Sequence, residues 1–487
     1  MRKMLILCVM VIFAAGLSAG RIVRINSLPQ GSVTALMEEG FDITSVDMVR
    51  GYTDVMVPEE MIPELELRFP DIEVMPLEWG ELLAENSKNA GYYYSPDENL
   101  AFWCTLAADH SDLADTPVNI GQSYLGEDIY MIQLTSPIGD SDYKPPILFN
   151  SLIHAREPGG NSVVIDFAMW LTDNYDGGDT RAAWILDNTT LYIVPIANPD
   201  GYAYNLPSGG YHRKNMNFTL GDGVDLNRNW GYEWGYDNIG SSPKPSDDTY
   251  RGTAPFSEPE TQVLRDFILS VNPIALMNYH TYGGYLLFPY SYNNSATPDQ
   301  TTFQAWGSAM TSYNGYYAGR CGQALGYNAN GDQVDWSYSG NGMQGIMAFT
   351  PEVGDNGFWG GQNDTTLIEE FCEDCRYMNI WLCMTAPGFT GITGESIEPL
   401  LAVGQVTPNP VVGLASFSLS VSGSGCADLA IYDTTGRIIA DLPTDELVSG
   451  ENQILWNVPA GTPSGLYIIR ARGADGTTGA GRFTLLR

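Results

Sequence analysis

Basic residues and histidine are scarce in this chain: 23 lysines and arginines face 58 aspartates and glutamates, and 487 residues include four histidines. The formal charge of -35 excludes nucleic acid and anionic membrane surfaces as partners, because both are held by clustered Lys and Arg. It is read as a solvated, salt-tolerant surface. Beyond the amino terminus no apolar run is long enough to cross a bilayer, so no membrane span is expected. The terminus itself has Arg2 and Lys3, the apolar run Met4 to Ala15, then Leu17-Ser18-Ala19 ahead of Gly20. These are the parts of a secretory signal peptide, residues 1–19, and Cys8 lies too deep in the run to carry a lipid anchor. Cysteine is sparse as well. After the signal there remain Cys104, Cys321, Cys372, Cys375, Cys383 and Cys426, and export permits disulfides without fixing their pairing. Cys372-Glu373-Asp374-Cys375 falls in a helical run, Leu367 to Met384, with no second pair, and is read as structural rather than as a redox or zinc pair.

What the chain does have is a folded composition, 44% hydrophobic with eleven tryptophans, spread over too many residues for one core. Residues 20–90 alternate short strands with two helical stretches in the order βαββαβ. They carry no chemical motif and are read as a folding or inhibitory prosegment. The polar stretch Asn86 to Ser95 is a plausible place for a protease to cut. Residues 91–390 alternate apolar strands with helices, predicting an α/β domain with a central mixed, mostly parallel sheet flanked by helices. Within it, Ser257-Glu258-Pro259-Glu260 reads as a capping box that opens a helix. Residues 391–410 are a linker rich in Gly, Pro and Thr, and residues 411–487 read as a small β-sandwich for attachment or sorting.

The chemistry concentrates at strand ends. The run Ile147 to Ile153 ends at His154-Ala155-Arg156-Glu157, and Ile274 to Tyr279 ends at His280. Two imidazoles and one carboxylate leave a fourth zinc position open, as a catalytic site requires. Two further strands end at Ala197-Asn198-Pro199-Asp200 and at Thr350-Pro351-Glu352. In open α/β sheets the binding crevice lies outside the carboxyl ends of the strands, so one site can collect all these groups.

Across about Asn99 to Met384 these residues resemble the metallocarboxypeptidases of the funnelin family, the carboxypeptidase A-like enzymes. The likeness is carried by His154-Ala155-Arg156-Glu157, Asn198-Pro199-Asp200-Gly201-Tyr202, His212-Arg213-Lys214, Gly223 to Trp230, Phe256 to Thr261, His280-Thr281-Tyr282 and Phe349-Thr350-Pro351-Glu352. The resemblance implies one zinc ion held by His154, Glu157 and His280, with Glu352 as general base and Arg213 stabilising the oxyanion. It implies that Asn227 and Arg228 grip the terminal carboxylate of the substrate, that Tyr327 closes over it, and that Arg156 and Tyr282 also contact substrate. It also implies that Asp225 is a candidate acceptor orienting His154. Val334 aligns with a pocket-base position, implying an apolar floor and a preference for aromatic or aliphatic terminal residues. Gly210 and His212 depart from the family pattern at the outer subsites. The C-terminal domain is similar to bacterial secretion sorting domains through Pro408-Asn409-Pro410, Ile431 to Arg437 and Pro463 to Tyr467.

The expectation is a monomeric exported bacterial enzyme, secreted or held at the cell surface, that removes C-terminal residues from peptides or proteins with free C-termini. Its C-terminal domain is expected to meet the secretion machinery. The alternatives are a zinc amidohydrolase of this fold acting on cell-wall peptides and a non-catalytic binding protein.

Overall fold

The computed structural model describes residues 20–28, 32–47, 51–75, 93–139, 144–206, 210–219, 221–340, 345–354, 357–359, 365–389, 401–403, 406–421, 427–433, 437–442, 450–473 and 478–486. The expected signal peptide, residues 86–92 of the expected cleavage segment, residues 391–400 of the expected linker and Cys426 lie outside the described residues.

The N-terminal module runs β1 (Gly20–Asn26), α1 (Ser32–Glu38), β2 (Asp42–Asp47), β3 (Tyr52–Pro58), α2 (Ile62–Arg68), β4 (Ile72–Val74). Its sheet has the order β2-β3-β1-β4, and every neighbouring pair is antiparallel. Alternation along the strands turns Val23, Ile25, Val55 and Val57 to one face, where Leu36 and Leu65 close the core. The edge strand β2 lies against the central domain, through contacts described below.

The central domain follows as α3 (Pro96–Asp109), β5 (Val118–Gln122), β6 (Asp128–Leu134), β7 (Pro146–Ser151), α4 (Gly159–Gly177), α5 (Thr180–Asn188), β8 (Thr190–Val194) and α6 (Pro199–Asn205). After a long irregular stretch come α7 (Pro259–Val271), β9 (Ala275–Tyr279), β10 (Tyr285–Leu287), α8 (Gln300–Met310), β11 (Tyr317–Gly319), α9 (Cys321–Ala324), α10 (Gln333–Ser339), β12 (Met347–Glu352) and α11 (Thr365–Phe389). The eight strands lie in the order β11-β10-β12-β9-β7-β8-β6-β5. The middle four, β12, β9, β7 and β8, are mutually parallel, while β6, β5 and β10 join antiparallel. Continuous apolar runs are what a strand needs when both faces are covered. Phe149, Met277 and Phe349 go to one face and Leu148, Leu276 and Ala348 to the other. Each such buried side chain contributes about 1.5–3 kcal/mol. Because the middle strands are parallel, their carboxyl ends share one side of the sheet.

The capping box expected at Ser257 does not form. The helix starts one residue later, with Glu258 at the cap position making no side-chain cap bond. Glu258 instead accepts from Asn215 and Asn217, both at 2.9 Å, and Glu260 accepts from the Tyr124 backbone at 2.9 Å and Asn215 at 3.1 Å. Buried amide donors outcompete the helix terminus for these two carboxylates. A full capping box does open α3, where Ser95 and Glu98 exchange bonds and Pro96 stands in the first turn.

The remaining strands are β13 (Leu401–Val403), β14 (Thr407–Val412), β15 (Leu414–Val421), β16 (Ala427–Asp433), β17 (Ile438–Leu442), β18 (Gly450–Asn457), β19 (Gly465–Gly473) and β20 (Thr478–Leu485). They pair mostly antiparallel around a core of their own that includes Phe417, Ile431, Trp456, Ile469 and Phe483. Arg470 of β19 reaches Glu370 at 3.4 Å and Asp374 at 3.8 Å on α11. No helix among the described residues is long and apolar enough to cross a membrane.

Candidate metal centre and active site

The strand ends bring the three expected ligands together. β7 stops at Ser151, Leu152 turns the chain with a φ of 53°, and His154 and Glu157 follow before α4. β9 stops at Tyr279 with His280 next. Two glycines at the start of α4 allow this approach: a Cβ on Gly160 would lie 2.6 Å from the Tyr279 Cβ, and one on Gly159 would lie 2.8 Å from the Thr281 hydroxyl. Any larger residue at Gly160 would push the two ligand segments apart.

The result is a buried cluster in which one ligand atom from each of His154, Glu157 and His280 lies within 4.8 Å of the others. The two Nδ1 atoms are 3.0 Å apart. Glu157 sets Oε1 2.9 Å from His154 Nδ1 and Oε2 2.9 Å from His280 Nδ1. His154 Nε2 meets Asp225 Oδ1 at 3.1 Å, and an ionised carboxylate only accepts, so Nε2 carries the proton and Nδ1 is left as a lone pair. Lone pairs and a carboxylate converging on one buried point call for a cation. Nitrogen and oxygen donors with an open side fit zinc.

The electrostatics agree with a ligand set. Burial pushes His280 down to about 4, against the pull of Glu157, which keeps its imidazole neutral. Burial alone would raise Glu157, but His154 and His280 overcome it and hold its carboxyl below the usual range. Asp225 is likewise opposed by burial and held well below its ordinary value by Arg213 first and His154 next. Arg213 donates Nε and Nη2 to Asp225 Oδ2, both at 3.0 Å, so one carboxylate orients a ligand and a guanidinium together. Asp225→Asn removes that charge and is expected to weaken zinc binding about 10–100-fold, measurable by competition with a chelating dye. Unchanged affinity would remove Asp225 from the account.

One cavity is lined by His154, Glu157, His280, Arg213, Asn227, Arg228, Tyr327 and Glu352. Glu352 ends β12 beside His280, to which it is bridged in parallel. Burial first, and the charge of Glu157 next, drive its carboxyl well above its ordinary value, with Arg213 and Arg228 opposing. Asn227 accepts from the Gln333 backbone at 3.0 Å, and Arg228 is braced by Nε on Gly240 O at 2.8 Å.

Three expected residues are placed differently. Arg156 and Tyr282 are not part of that lining and face the N-terminal module: Arg156 forks onto Asp42 at 2.6 and 3.0 Å, and Tyr282 donates to Asp54 at 3.0 Å. Val334 is not in the lining either; it packs in the core beneath with Trp336, Ile346 and Ala348. The cavity wall also holds Asp332 and Phe358, with Ile43 and Thr44 from β2, none of which sequence reasoning singled out. For Asp332 a signal existed, since Asp332 and Asp335 stand three apart ahead of an apolar turn. For β2 there was none.

The model for the zinc carboxypeptidase family matches residues 100–377. Carboxypeptidase A1 of Rattus norvegicus is 33% identical over 289 residues, covering 57% of this chain and 66% of that protein. Carboxypeptidase B of Astacus astacus is 31% identical over 280 residues, covering 55% of this chain and 88% of that protein. The chain thus spans just under two thirds of the length of the rat relative. Among solved structures, the carboxypeptidase A from Helicoverpa armigera superposes with a TM-score of 0.65 at 21% identity, over 78% of this chain and 100% of that one, a likeness of fold. The matched region contains His154, Glu157, His280, Arg213, Arg228 and Glu352, and the chain belongs to the zinc carboxypeptidase family.

Proposed function

We propose that this chain is a zinc-dependent carboxypeptidase that removes single residues from the free C-termini of peptides. The observation that carries the reading is the cavity in which the His154-Glu157-His280 cluster, one proton-accepting carboxylate and two guanidinium groups meet. Zinc bound at such a site polarises a carbonyl oxygen and acidifies a coordinated water. Glu352, with its raised proton affinity, accepts the proton of the attacking water and returns it to the leaving amine. Arg213, fixed by Asp225, faces the negative charge that develops on the carbonyl oxygen. Arg228 and Asn227 hold the terminal carboxylate, and Tyr327 covers it. The expectation of an aromatic or aliphatic terminal residue rested on Val334, whose burial in the core gives it no direct support.

Residues 20–75 serve as an inhibitory prosegment in this reading, supported by Ile43 and Thr44 in the cavity wall and by the fork of Arg156 on Asp42. The chain is exported behind residues 1–19. The C-terminal strands, which hold no histidine, serve attachment or export.

The test is a pair of matched peptides, one with a free C-terminus and one amidated. The free peptide loses its last residue and the amide does not; equal cleavage of both would overturn the exopeptidase reading. Arg228→Ala is expected to lower kcat/KM on the free peptide about 10–150-fold, the worth of hydrogen bonds to a charged group.

A further inference from the structure

We propose that Gln333 and Asn150 are positioning residues: their paired side-chain amides pin the start of α10 to the end of β7 and so hold Asn227 where it grips the terminal carboxylate of a substrate. The inference rests on the carboxypeptidase reading above and deepens it with two residues that do not line the cavity.

Asn150 of β7 and Asn278 of β9 stand opposite each other in the parallel register. Both are fully buried, as is Gln333 at the start of α10. Gln333 Nε2 donates to Asn150 Oδ1 at 2.8 Å, and Asn150 Nδ2 donates back to Gln333 Oε1 at 3.2 Å. The same Nδ2 donates to Asn278 Oδ1 at 2.8 Å. An amide nitrogen has two hydrogens, so both of those on Asn150 are committed and its orientation is fixed. The neighbours along the two strands are apolar, Leu148 and Phe149 on one and Leu276 and Met277 on the other, so these amides are an exception set side by side in the sheet. α10 itself packs through Val334 and Trp336 beside Leu276 and Ala348. Apolar burial has no direction and does not by itself fix how the helix is turned. A satisfied pair of buried amides does.

The link to the chemistry is the backbone of Gln333. As the first residue of α10 its N–H has no partner within the helix, and it donates to Asn227 Oδ1 at 3.0 Å. Asn227 is tied on its other side by its own N–H to Asp225 Oδ1 at 2.9 Å, the carboxylate that meets His154. With Oδ1 engaged, Asn227 has Nδ2 left to offer, 3.4 Å from His280 Nε2, and a donor is what a carboxylate needs. A turn of α10 would withdraw the Gln333 N–H and free the Asn227 amide to present its oxygen to the incoming carboxylate, acceptor against acceptor. Tyr327, Ala329 and Asp332, on the segment that leads into α10, line the same cavity and are placed by the same anchor.

The experiment uses the full zinc-loaded chain after proteolytic activation and a peptide with a free C-terminus. Gln333→Met keeps the length of the side chain and removes its amide. It is expected to lower kcat/KM about 10-fold. The loss is carried by KM, with kcat within about 2-fold of the unaltered value, at undiminished zinc content. Asn150→Leu breaks the pair from the strand side and is expected to do the same. A double-variant cycle supplies the readout that a merely structural role would not move. In a chain already carrying Asn227→Ala, Gln333→Met is expected to lower kcat/KM by less than about 2-fold. Losses that multiply in the cycle, a loss carried by kcat with KM unchanged, or variants as active as the unaltered enzyme would overturn the proposal while leaving the carboxypeptidase reading intact. Failure of both single variants to fold would reduce the pair to a structural bond and overturn it as well. Unaltered, zinc-loaded protein that trims no peptide at all would overturn that reading and the proposal with it.

Discussion

Replacing Glu352 with glutamine is expected to lower kcat about 1,000-fold, within the range that positioned acid–base groups contribute, while the protein still binds one zinc. β12 delivers Glu352 to the same end of the sheet as His280, and no bulk is added by the change. Glutamine keeps the shape and the ability to hydrogen-bond but cannot take a proton. A glutamate made more basic by burial and by Glu157 can do so and can then return it. Measuring kcat alongside zinc content by atomic emission separates lost chemistry from lost metal. A variant with full zinc and a normal kcat would refute the assignment of Glu352.

Cutting the chain between β4 and α3 is expected to raise activity about 100-fold or more, which corresponds to about 2.8 kcal/mol of docking by the N-terminal module. Several contacts supply it. Asp42 forks onto the buried Arg156, Tyr282 meets Asp54 at 3.0 Å and Thr44 at 3.2 Å, and the Tyr285 hydroxyl donates to Val46 O. Val33 and Val46 join Leu287, Leu325 and Ala329 in one apolar cluster. Truncating one partner of a buried ion pair costs about 2–5 kcal/mol, so Asp42→Ala alone should release activity from the uncut chain. Equal activity before and after cutting would contradict an inhibitory role.

The same interface should respond to pH. Burial first, then the charge and hydrogen bond of Asp42, raise Asp248 from 3.8 to about 7. The docked form therefore holds this proton more tightly than the undocked form, which lacks the Asp42 charge and hydrogen bond, so docking is favoured at lower pH and weakens as pH rises toward about 7. Asp42 shifts the other way, to about 2; burial would raise it, but Arg156 outweighs burial. Its contribution is lost only as pH falls below 3.8. Between pH 4 and 7 Asp248 decides the sign. The activity of the uncut chain, expressed as a fraction of the cut chain at each pH, should rise from pH 5 to 7.5, and Asp248→Asn should flatten that rise.

What could be read from the sequence follows from how local each signal is. His154, Glu157 and His280 were legible because continuous apolar runs mark strands buried on both faces, and polar residues just past such runs stand at a sheet's edge. Glu352 and the Arg213 and Arg228 motifs were legible through the family's own landmarks. Asp42 was not, because nothing in Asp42–Asp47 differs from any edge strand until it docks across 114 residues of sequence onto Arg156. Ser257 misled because the capping pattern is a local preference, and the buried Asn215 amide and the Tyr124 backbone took the Glu260 carboxylate it needed. Asp332 caps α10 and Val334 lies two positions on in its first turn, and which of them reaches the cavity depends on how α10 is rotated against the sheet. A spacing argument alone does not fix that rotation.

The central claim is tested most directly by incubating the proteolytically activated chain with a mixture of peptides and following their masses, with and without a zinc chelator. Loss of one residue at a time from free C-termini, stopped by the chelator and restored by added zinc, is the predicted result. Internal cleavage, trimming that persists after the metal is removed, or no trimming by protein that demonstrably holds zinc would contradict it.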